Sequence, residues 1–305
     1  MVSALLNEIA LRGNKGAVVP ISHIEDLKRD MEELKNGDFH TGVIDWMTSC
    51  TDKFIPGGLD FEPLSLISVV APCAQVSIRF NYCGKPFNSL LPPTYDVMYT
   101  KSLEVLEQIN AFLNPSGFKA AAADELPQKL LAVHCGLGQY GRNNICYNEE
   151  FGSFIRVLSY VSDMPCDETA WFPIRRMDTC KTCRACVAAC PTKAIDINRD
   201  LINSDVCITS INEQQNAFPE WLEKSAHNCL LGCMKCQSCC PKNIKNKNNI
   251  IEGVSFTDDE TMELLEHKED TPFSDTIVAK VEAAGISTYI KVLPRNLAAL
   301  IDNTK

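Results

Sequence analysis

The 305-residue sequence predicts a mixed α/β (α+β) protein in three parts, and three observations lead to that prediction. Up to residue 174, β-rich apolar runs alternate with amphipathic helical patterns, as in an α/β domain. Residues 175–245 contain ten of the sixteen cysteines, which predicts a separate cysteine-rich module. Helical patterns return over 246–305, so we expect a helical tail that packs on the core.

Local signals place the elements of these parts. Helical periodicity predicts helices over 1–12, 94–113 and 126–135. Ser22-His23-Ile24-Glu25 is predicted to form a capping box that opens a further helix. β-rich runs predict an interior strand over 64–71, a hairpin of 76–82 with 86–91, and a second hairpin within 144–162. In the tail, helices are predicted after the Thr257-x-x-Glu260 capping box, over 272–284 and over 295–302.

The cysteine-rich module begins with the ligand string of bacterial ferredoxins, Cys180-x2-Cys183-x2-Cys186-x3-Cys190-Pro191. In that string three thiolates wrap one four-iron cubane, and the fourth leaves in another direction, before a proline, to reach a second cubane. Further cysteines follow at positions 207, 229, 233, 236, 239 and 240. Eight thiolates can thus be supplied, and we expect two [4Fe-4S] clusters that carry single electrons.

The expected ligands form two crossed sets. Cys240 is preferred to Cys239 because a proline follows it, as one follows Cys190. Cys207 takes the place that a regular second run would give to a third local cysteine. One cluster is assigned to Cys180, Cys183, Cys186 and Cys240, and the other to Cys190, Cys207, Cys233 and Cys236. A zinc site and a disulfide scaffold are alternatives, but neither explains an uninterrupted four-cysteine run that ends in proline.

Composition restricts the classes of function. A hydrophobic content of 45% and a charged content of 22% are those of a soluble globular protein. We expect no membrane segment and no export signal, and so many cysteines then indicate the reducing cytoplasm of an anaerobic or microaerobic host. The net charge of −10 argues against a general nucleic-acid surface. Lys242, Lys245 and Lys247 form a local basic stretch, whose simplest interpretation is a solvated loop.

A glycine loop, Gly136-Leu137-Gly138-Gln139-Tyr140-Gly141, has the spacing of a dinucleotide-binding loop. It follows a predicted helix and leads into a predicted hairpin, so we reject nicotinamide binding. The glycines allow close approach of either a cofactor or a packed element, and the sequence leaves both open. Asp124 could donate a proton or cap the following helix, and Tyr95 could donate a proton or simply pack.

Three segments together resemble a known family: LPQKLLAVHCGLGQYGRNNICY, the ferredoxin-type cysteine string, and HNCLLGCMKCQSCCPKN. From about Leu64 to Asn243 the chain resembles the epoxyqueuosine reductase-like proteins, which are related to reductive dehalogenases, and in particular a group from anaerobes with a double four-iron cluster binding domain. The resemblance implies a nitroreductase-like N-terminal domain that binds cobalamin. It places a cofactor-binding set on the cobalamin side: Gly138, Gln139, Tyr140, Gly141 and Asn143.

The chain also departs from that family. Epoxyqueuosine reductases carry a proton-donating aspartate upstream of the glycine loop; an ungapped count reaches Ala122 here, and a two-residue gap brings Asp124 to its place. The helical-repeat extension with which the tRNA-modifying enzymes grip RNA is absent or greatly shortened. Together with the acidic balance, this argues against tRNA as a partner. The twin-arginine signal of respiratory reductive dehalogenases is missing as well.

The sequence and the resemblance together predict a cytoplasmic oxidoreductase. Electrons from a low-potential donor, such as a ferredoxin or flavodoxin, would pass through the two clusters to a cobalamin that reduces a small-molecule substrate. The main alternative is a non-catalytic electron carrier or reductive activator for the corrinoid or metal centre of a partner protein. A third interpretation keeps the clusters only as structural staples.

Overall fold

The structure, a computed structural model, describes residues 1–36, 41–42, 44–45, 54–95, 98–167, 170–199, 201–268 and 270–304. Helices and strands alternate along it, which confirms the mixed α/β class. The chain divides into two compact units, each assembled from two stretches. The first unit is Met1–Pro72 with Tyr99–Cys183, and the second is Cys73–Met98 with Arg184–Lys305. The three-part domain division stays a prediction.

The elements are numbered in chain order. The strands are β1 (Lys15–Pro20), β2 (Ser65–Pro72), β3 (Gln75–Tyr82), β4 (Lys85–Leu91), β5 (Ala120–Ala122), β6 (Gln139–Tyr140), β7 (Cys146–Tyr147), β8 (Ile155–Ser162) and β9 (Ile250–Phe256). The helices are α1 (Val2–Ala10), α2 (Ile24–Lys35), α3 (Met98–Leu113), α4 (Gln128–His134), α5 (Ala185–Ala189), α6 (Ile208–Glu213), α7 (Lys235–Ser238), α8 (Asp258–Leu265), α9 (Asp275–Ala283) and α10 (Leu293–Thr304). None of the described helices has the length and hydropathy needed to cross a membrane.

The first unit is built on an antiparallel sheet with strand order β1-β2-β8-β5. Residues of β2 alternate between two apolar layers. Ile67 and Val69 pack with residues of α1 and α3, whereas Leu66 packs with residues of α2 and α4. Because both faces of β2 are covered, its sequence is mostly apolar on both faces, with Ser68 as the one interruption between Leu66 and Ala71. The predicted interior strand is therefore confirmed.

Two local predictions in the first unit are wrong. The segment 144–162 is not a hairpin, because β7 pairs with β6 while β8 lies between β2 and β5. The chain does reverse between Asn148 and Gly152, which form an isolated antiparallel bridge. The capping box expected at Ser22 is not formed: a 3₁₀ turn, Ile21–His23, leads into α2, and no side chain caps it.

The second unit contains a three-stranded sheet with strand order β4-β3-β9. The predicted hairpin is confirmed, since β3 and β4 join through Cys83 and Gly84, whose φ angles of 51° and 72° suit a two-residue turn of type I′. Strand β9 then adds parallel to β3. Residues of α8, α9 and α10 complete the core against the sheet. Helix α8 opens with the predicted capping box of Thr257 and Glu260.

Candidate functional site

Two short helices of the second unit organise the cysteine-rich region. Helix α5 follows the Cys180–Cys183 spacing and ends at Cys190-Pro191, while α7 lies within the second cysteine group, shortly before Cys240-Pro241. The two helices pack against each other. Each half thus repeats the order of spaced cysteines, a helical turn and a Cys-Pro step. Cys180 and Cys183 belong to the first unit, and the other assigned cysteines belong to the second.

Three of the four ligands assigned to one cluster are electrostatic neighbours. Burial raises the pKa of the half-buried Cys207 and Cys233 thiols above the ordinary value. The Cys233 charge raises the pKa of Cys207 further, and the Cys190 charge does the same to Cys233. Thiols that oppose one another's ionisation in this way need a positive partner to become thiolates together, and a cluster's iron atoms supply one.

Hydrogen-bond donors point at the same sulfur atoms. The Asn228 Nδ2 group donates to Cys233 Sγ at 3.2 Å, and the backbone of Lys235 also bonds that thiol. The backbone N–H groups of Thr209 and Ser210 donate hydrogen bonds to the Cys207 sulfur atom. Donors of this kind stabilise thiolate ligands and tune cluster potentials. The donor set around these cysteines therefore fits an iron–sulfur cluster.

Neither alternative to a cluster gains support from the described residues. All cysteines among them are free thiols, so no disulfide scaffold is formed. No three His, Cys, Asp or Glu side chains in the described ranges are gathered as ligands of a single metal ion. A cubane does not require such a point of convergence, because each cysteine binds a different iron.

The two unassigned cysteines of the second group have local partners. Cys229 is buried, its Sγ donates to Asn228 Oδ1 at 3.4 Å, and burial raises the pKa of its thiol to about 12. It therefore behaves as a small hydrophobic side chain. The Cys239 thiol donates to the Cys236 carbonyl oxygen at 3.5 Å. The choice of Cys240 over Cys239 as ligand stays a prediction.

The glycine loop is explained by packing. A Cβ at Gly138 would lie 2.4 Å from Cys146 Sγ, and a Cβ at Gly141 would lie 2.6 Å from Tyr147 Cε2. Gly136 has a φ of 74°, and a Cβ there would lie 2.8 Å from the Phe172 ring. Of the two options left open by the sequence, the packed element accounts for all three glycines. These glycines allow β6, β7 and the segment after β8 to approach closely.

The remaining residues of the expected cofactor set lie in the same segment. Asn143 is buried, and its Nδ2 group donates to the Tyr147 hydroxyl at 3.0 Å. Tyr140 is tied by its backbone to the segment after β8, where its N–H donates to the Arg175 carbonyl at 2.8 Å. Gln139 is the exposed member. The structure therefore brings the predicted set together, but most of it is used in packing.

Arg142 connects this segment to the first cysteine string. Its Nη2 group donates to the Cys180 carbonyl oxygen at 2.7 Å. The guanidinium thus holds the backbone of an assigned ligand and brings a positive charge next to it. In the sequence, Arg142 stands out only as part of the segment that carries the family resemblance. A basic residue after a glycine loop is a weak signal, and it gives no indication of a bond to a residue 38 positions away.

The two candidate proton donors lie in different units. Asp124 is exposed in the turn between β5 and α4, where Gln128 Nε2 donates to its Oδ1 at 3.4 Å. Tyr95 lies in the core of the second unit, and its hydroxyl donates to the Glu213 carboxylate. Burial and then the Glu213 charge raise the pKa of Tyr95 well above its usual value. Catalytic roles for Asp124 and Tyr95 stay predictions.

An aromatic stack that the sequence did not signal fastens the segment after β8. The Trp171 ring lies between the rings of His23 and His134, with centroid distances of 4.0 and 4.3 Å. Each imidazole also bonds a carboxylate of α2: His23 bonds Asp26 and His134 bonds Asp30, both at 2.7 Å. The residues are far apart in sequence, so only the folded chain reveals the stack.

Comparisons with known proteins identify the family. A family model described as a 4Fe-4S double cluster binding domain matches residues 179–243, which contain all eight assigned cysteines. The epoxyqueuosine reductase of Cyclobacterium marinum is 35% identical over 240 residues, which cover 74% of this chain and 73% of that protein. The Bacillus subtilis enzyme is 29% identical over 119 residues, covering 39% of this chain and 30% of its own length.

Solved structures show the same fold. An epoxyqueuosine reductase from Bacillus subtilis, with its catalytic aspartate loop swung out of the active site, matches with a TM-score of 0.67 at 18% identity. The match covers 99% of this chain and 81% of that one. Another epoxyqueuosine reductase, solved with an epoxyqueuosine-modified tRNA-Tyr stem loop, gives a TM-score of 0.66 at 19% identity, covering 99% and 80%.

The expectation that argued against tRNA is wrong, because relatives that act on this modified nucleoside include one with tRNA bound. That expectation rested on the absent or shortened helical-repeat extension and on the net charge of −10, whereas phosphate binding depends on the charge of the contacting surface. The cysteine module, the fold and the shared sequence agree with one another. The chain belongs to the epoxyqueuosine reductase family and is an iron–sulfur oxidoreductase.

Proposed function

We propose that this protein reduces epoxyqueuosine within tRNA. The observation that carries the proposal is the 35% identity to the Cyclobacterium marinum epoxyqueuosine reductase over 73% of that enzyme's length. Removing the epoxide oxygen as water takes two electrons and two protons and leaves a carbon–carbon double bond. Two clusters can deliver the electrons one at a time. The small molecule expected from the sequence is thus replaced by a nucleoside held in RNA.

The cluster ligands of this proposal are the eight cysteines assigned from spacing. Their surroundings support the assignment, since Asn228 and the backbone at Thr209, Ser210 and Lys235 donate to two of the sulfur atoms. When bound, the clusters supply single electrons at low potential. Arg142 holds the backbone carbonyl of Cys180 and so fixes the position of one assigned ligand.

Cobalamin as the final electron carrier, in a nitroreductase-like first unit, is a further part of the proposal that rests on the family resemblance. The residues assigned to it support it weakly. Gly138, Gly141 and Asn143 are used in packing, and only Gln139 is exposed. These five residues by themselves do not form a built cradle for a corrin ring.

Asp124 is the proposed source of a proton. Its carboxyl group is exposed, lies before α4, and accepts a single long hydrogen bond from Gln128. An exposed carboxyl with little restraint can exchange its proton with solvent and turn toward a substrate. Tyr95 is less suited to the role, because it is 4% exposed and already donates to Glu213.

The test is anaerobic turnover of an epoxyqueuosine-containing stem-loop RNA with a chemical reductant, with and without added hydroxocobalamin. We expect about eight irons per chain and loss of one oxygen from the nucleoside by mass spectrometry. Asp124→Asn should slow turnover while iron content stays unchanged, and Glu125→Gln, at the neighbouring exposed carboxylate, is the matched control. Clusters that reduce normally while the nucleoside stays intact under both conditions would favour the electron-carrier alternative.

A further inference from the structure

A strongly basic segment contrasts with the acidic chain. From Lys224 to Ile251 the sequence contains five lysines and no acidic residue, although the whole protein has a net charge of −10. Three of these lysines, at 242, 245 and 247, follow Cys240-Pro241 directly and are exposed. We call residues 241–249 the lysine loop. Within the part of the chain that the structure describes, its three ammonium groups form no ion pair.

The lysine loop is held in place by buried polar contacts. Asn243 is fully buried, its Nδ2 group donates to the Gln237 carbonyl at 2.8 Å, and its own carbonyl accepts from the Lys247 N–H at 2.8 Å. Gln75 of β3 donates through Nε2 to the Lys247 carbonyl at 2.7 Å and through its backbone N–H to the Asn249 carbonyl at 3.0 Å. The loop backbone is therefore ordered before any partner arrives.

This order distinguishes the lysine loop from an ordinary solvated loop. A loop that only connects elements needs no buried asparagine and no bonds to a distant strand. Fixing the backbone in advance lowers the entropy that a partner must offset on binding. Exposed Asn248 and Asn249 add uncharged donors beside the lysines, and Ile244 is 63% exposed among them. The arrangement presents positive charge and amide donors on one fixed segment.

We propose that the lysine loop binds the phosphate backbone of the RNA substrate. This proposal rests on the proposed function, because it assumes that the substrate is carried on tRNA. Lysine ammonium groups bind phosphates as point charges, and asparagine amides donate to phosphate and ribose oxygens. Binding through the backbone requires no base sequence, so the loop supplies affinity and register while the chemistry selects the modified nucleoside.

The test measures RNA binding, which does not depend on turnover. The stem loop of tRNA-Tyr, fluorescently labelled, is titrated with cluster-loaded protein without oxygen, between about 50 and 200 mM salt. Replacing all three lysines by glutamine should weaken binding about 100-fold at 0.1 M salt and reduce the slope of log K against log salt by about 2. Replacement by arginine should retain both the affinity and the slope.

The matched control replaces Lys35, Lys85 and Lys291 by glutamine. These three lysines are exposed, and their replacement removes the same total charge. If the two triple variants bind RNA equally well and with equal slopes, the proposal is overturned. It is also overturned if the lysine-loop variant binds RNA normally but is reduced more slowly by an acidic flavodoxin, because the loop would then dock an electron donor. If the triple variant loses iron, the three single glutamine variants replace it in the salt titration. Each single variant should lower the slope of log K against log salt by about 0.7.

The two proposals fail in different ways. RNA that binds through the lysine loop but keeps its epoxide would refute the proposed function and leave the docking surface standing. If the protein reduces the epoxide but RNA binding does not depend on the three lysines, the proposed function would stand and the RNA-binding role of the lysine loop would be refuted.

Discussion

Replacing Gly138 with alanine would put a methyl group into an occupied position of the first unit. Its Cβ would lie 2.4 Å from Cys146 Sγ and 3.3 Å from the Tyr147 carbonyl oxygen. Cys146 is 2% exposed, and both neighbours belong to β7, which pairs with β6 at this point. The Tyr147 carbonyl belongs to the paired backbone, and the Cys146 thiol lies within a packed apolar cluster, so neither has free space to move into. We expect the free energy of unfolding to fall by about 1–3 kcal/mol, as in other overpacked cores.

A second substitution tests the cause. Cys146→Ala removes the sulfur atom that the new methyl group would meet, so the two changes should not be additive. We expect the double variant to recover about 1 kcal/mol relative to the sum of the single effects. Gly57→Ala is the control, because no atom lies within 4 Å of its Cβ position, and its effect should stay within about 0.5 kcal/mol.

The assay is thermal unfolding of cluster-loaded protein without oxygen, in which each kcal/mol should move Tm by about 2–4 °C. Additive single effects would refute the packing explanation, as would a Gly138→Ala variant as stable as the Gly57→Ala control. Either result would favour the other explanation for Gly138, which is the close approach of a cofactor.

Three further predictions concern the second unit. Tyr95→Phe leaves the half-buried Glu213 carboxylate without its donor, so stability should fall by about 1–3 kcal/mol. Burial raises the pKa of Glu213 and the Tyr95 hydrogen bond lowers it, so loss of the hydroxyl should raise that pKa further. A carboxyl with a raised folded-state pKa loses stability as the pH rises through that pKa; the stability loss of the variant in urea unfolding should therefore be larger at neutral pH than near the ordinary glutamate pKa of about 4.3, and equal losses would contradict this. Cys240→Ser should reduce the iron content from about eight to about four per chain, while Cys239→Ser keeps both clusters; the reverse outcome would exchange the ligand assignment. Thr257→Ala removes the cap of α8 and should cost about 1 kcal/mol by thermal unfolding, whereas an effect no larger than that of Thr257→Ser would show that the cap contributes little.

The fold could be predicted where the signal is local. The apolar run of β2, the Cys83-Gly84 turn and the Thr257 capping box each depend on a few neighbouring residues, and each is confirmed. Strand β9 was missed because four of its first five residues are exposed and Gly253 interrupts it, so no two-residue alternation appears. The pairing partner of β7 was missed because a two-residue strand has no periodicity at all.

The site shows the same division. The cluster ligands can be predicted from spacing because a cubane's first three thiolates come from one short loop. The need for glycine at position 138 could not be predicted from spacing, because it depends on the Cys146 thiol that strand β7 places beside this position. The tRNA error has a related cause: net charge sums the whole chain and does not show where basic residues are grouped and exposed, as Lys242, Lys245 and Lys247 are.

The parallel pairing of β9 with β3 has a consequence for biosynthesis. On the ribosome, β3 emerges well before residue 250, and at 5–20 residues per second the interval is roughly ten to thirty seconds. During that time the nascent hairpin keeps one edge unpaired, and an open strand edge is a template for wrong association. Translation of this chain therefore includes a period in which the β3 edge is open to incorrect pairing, and that period ends only when residues 250–256 have been made.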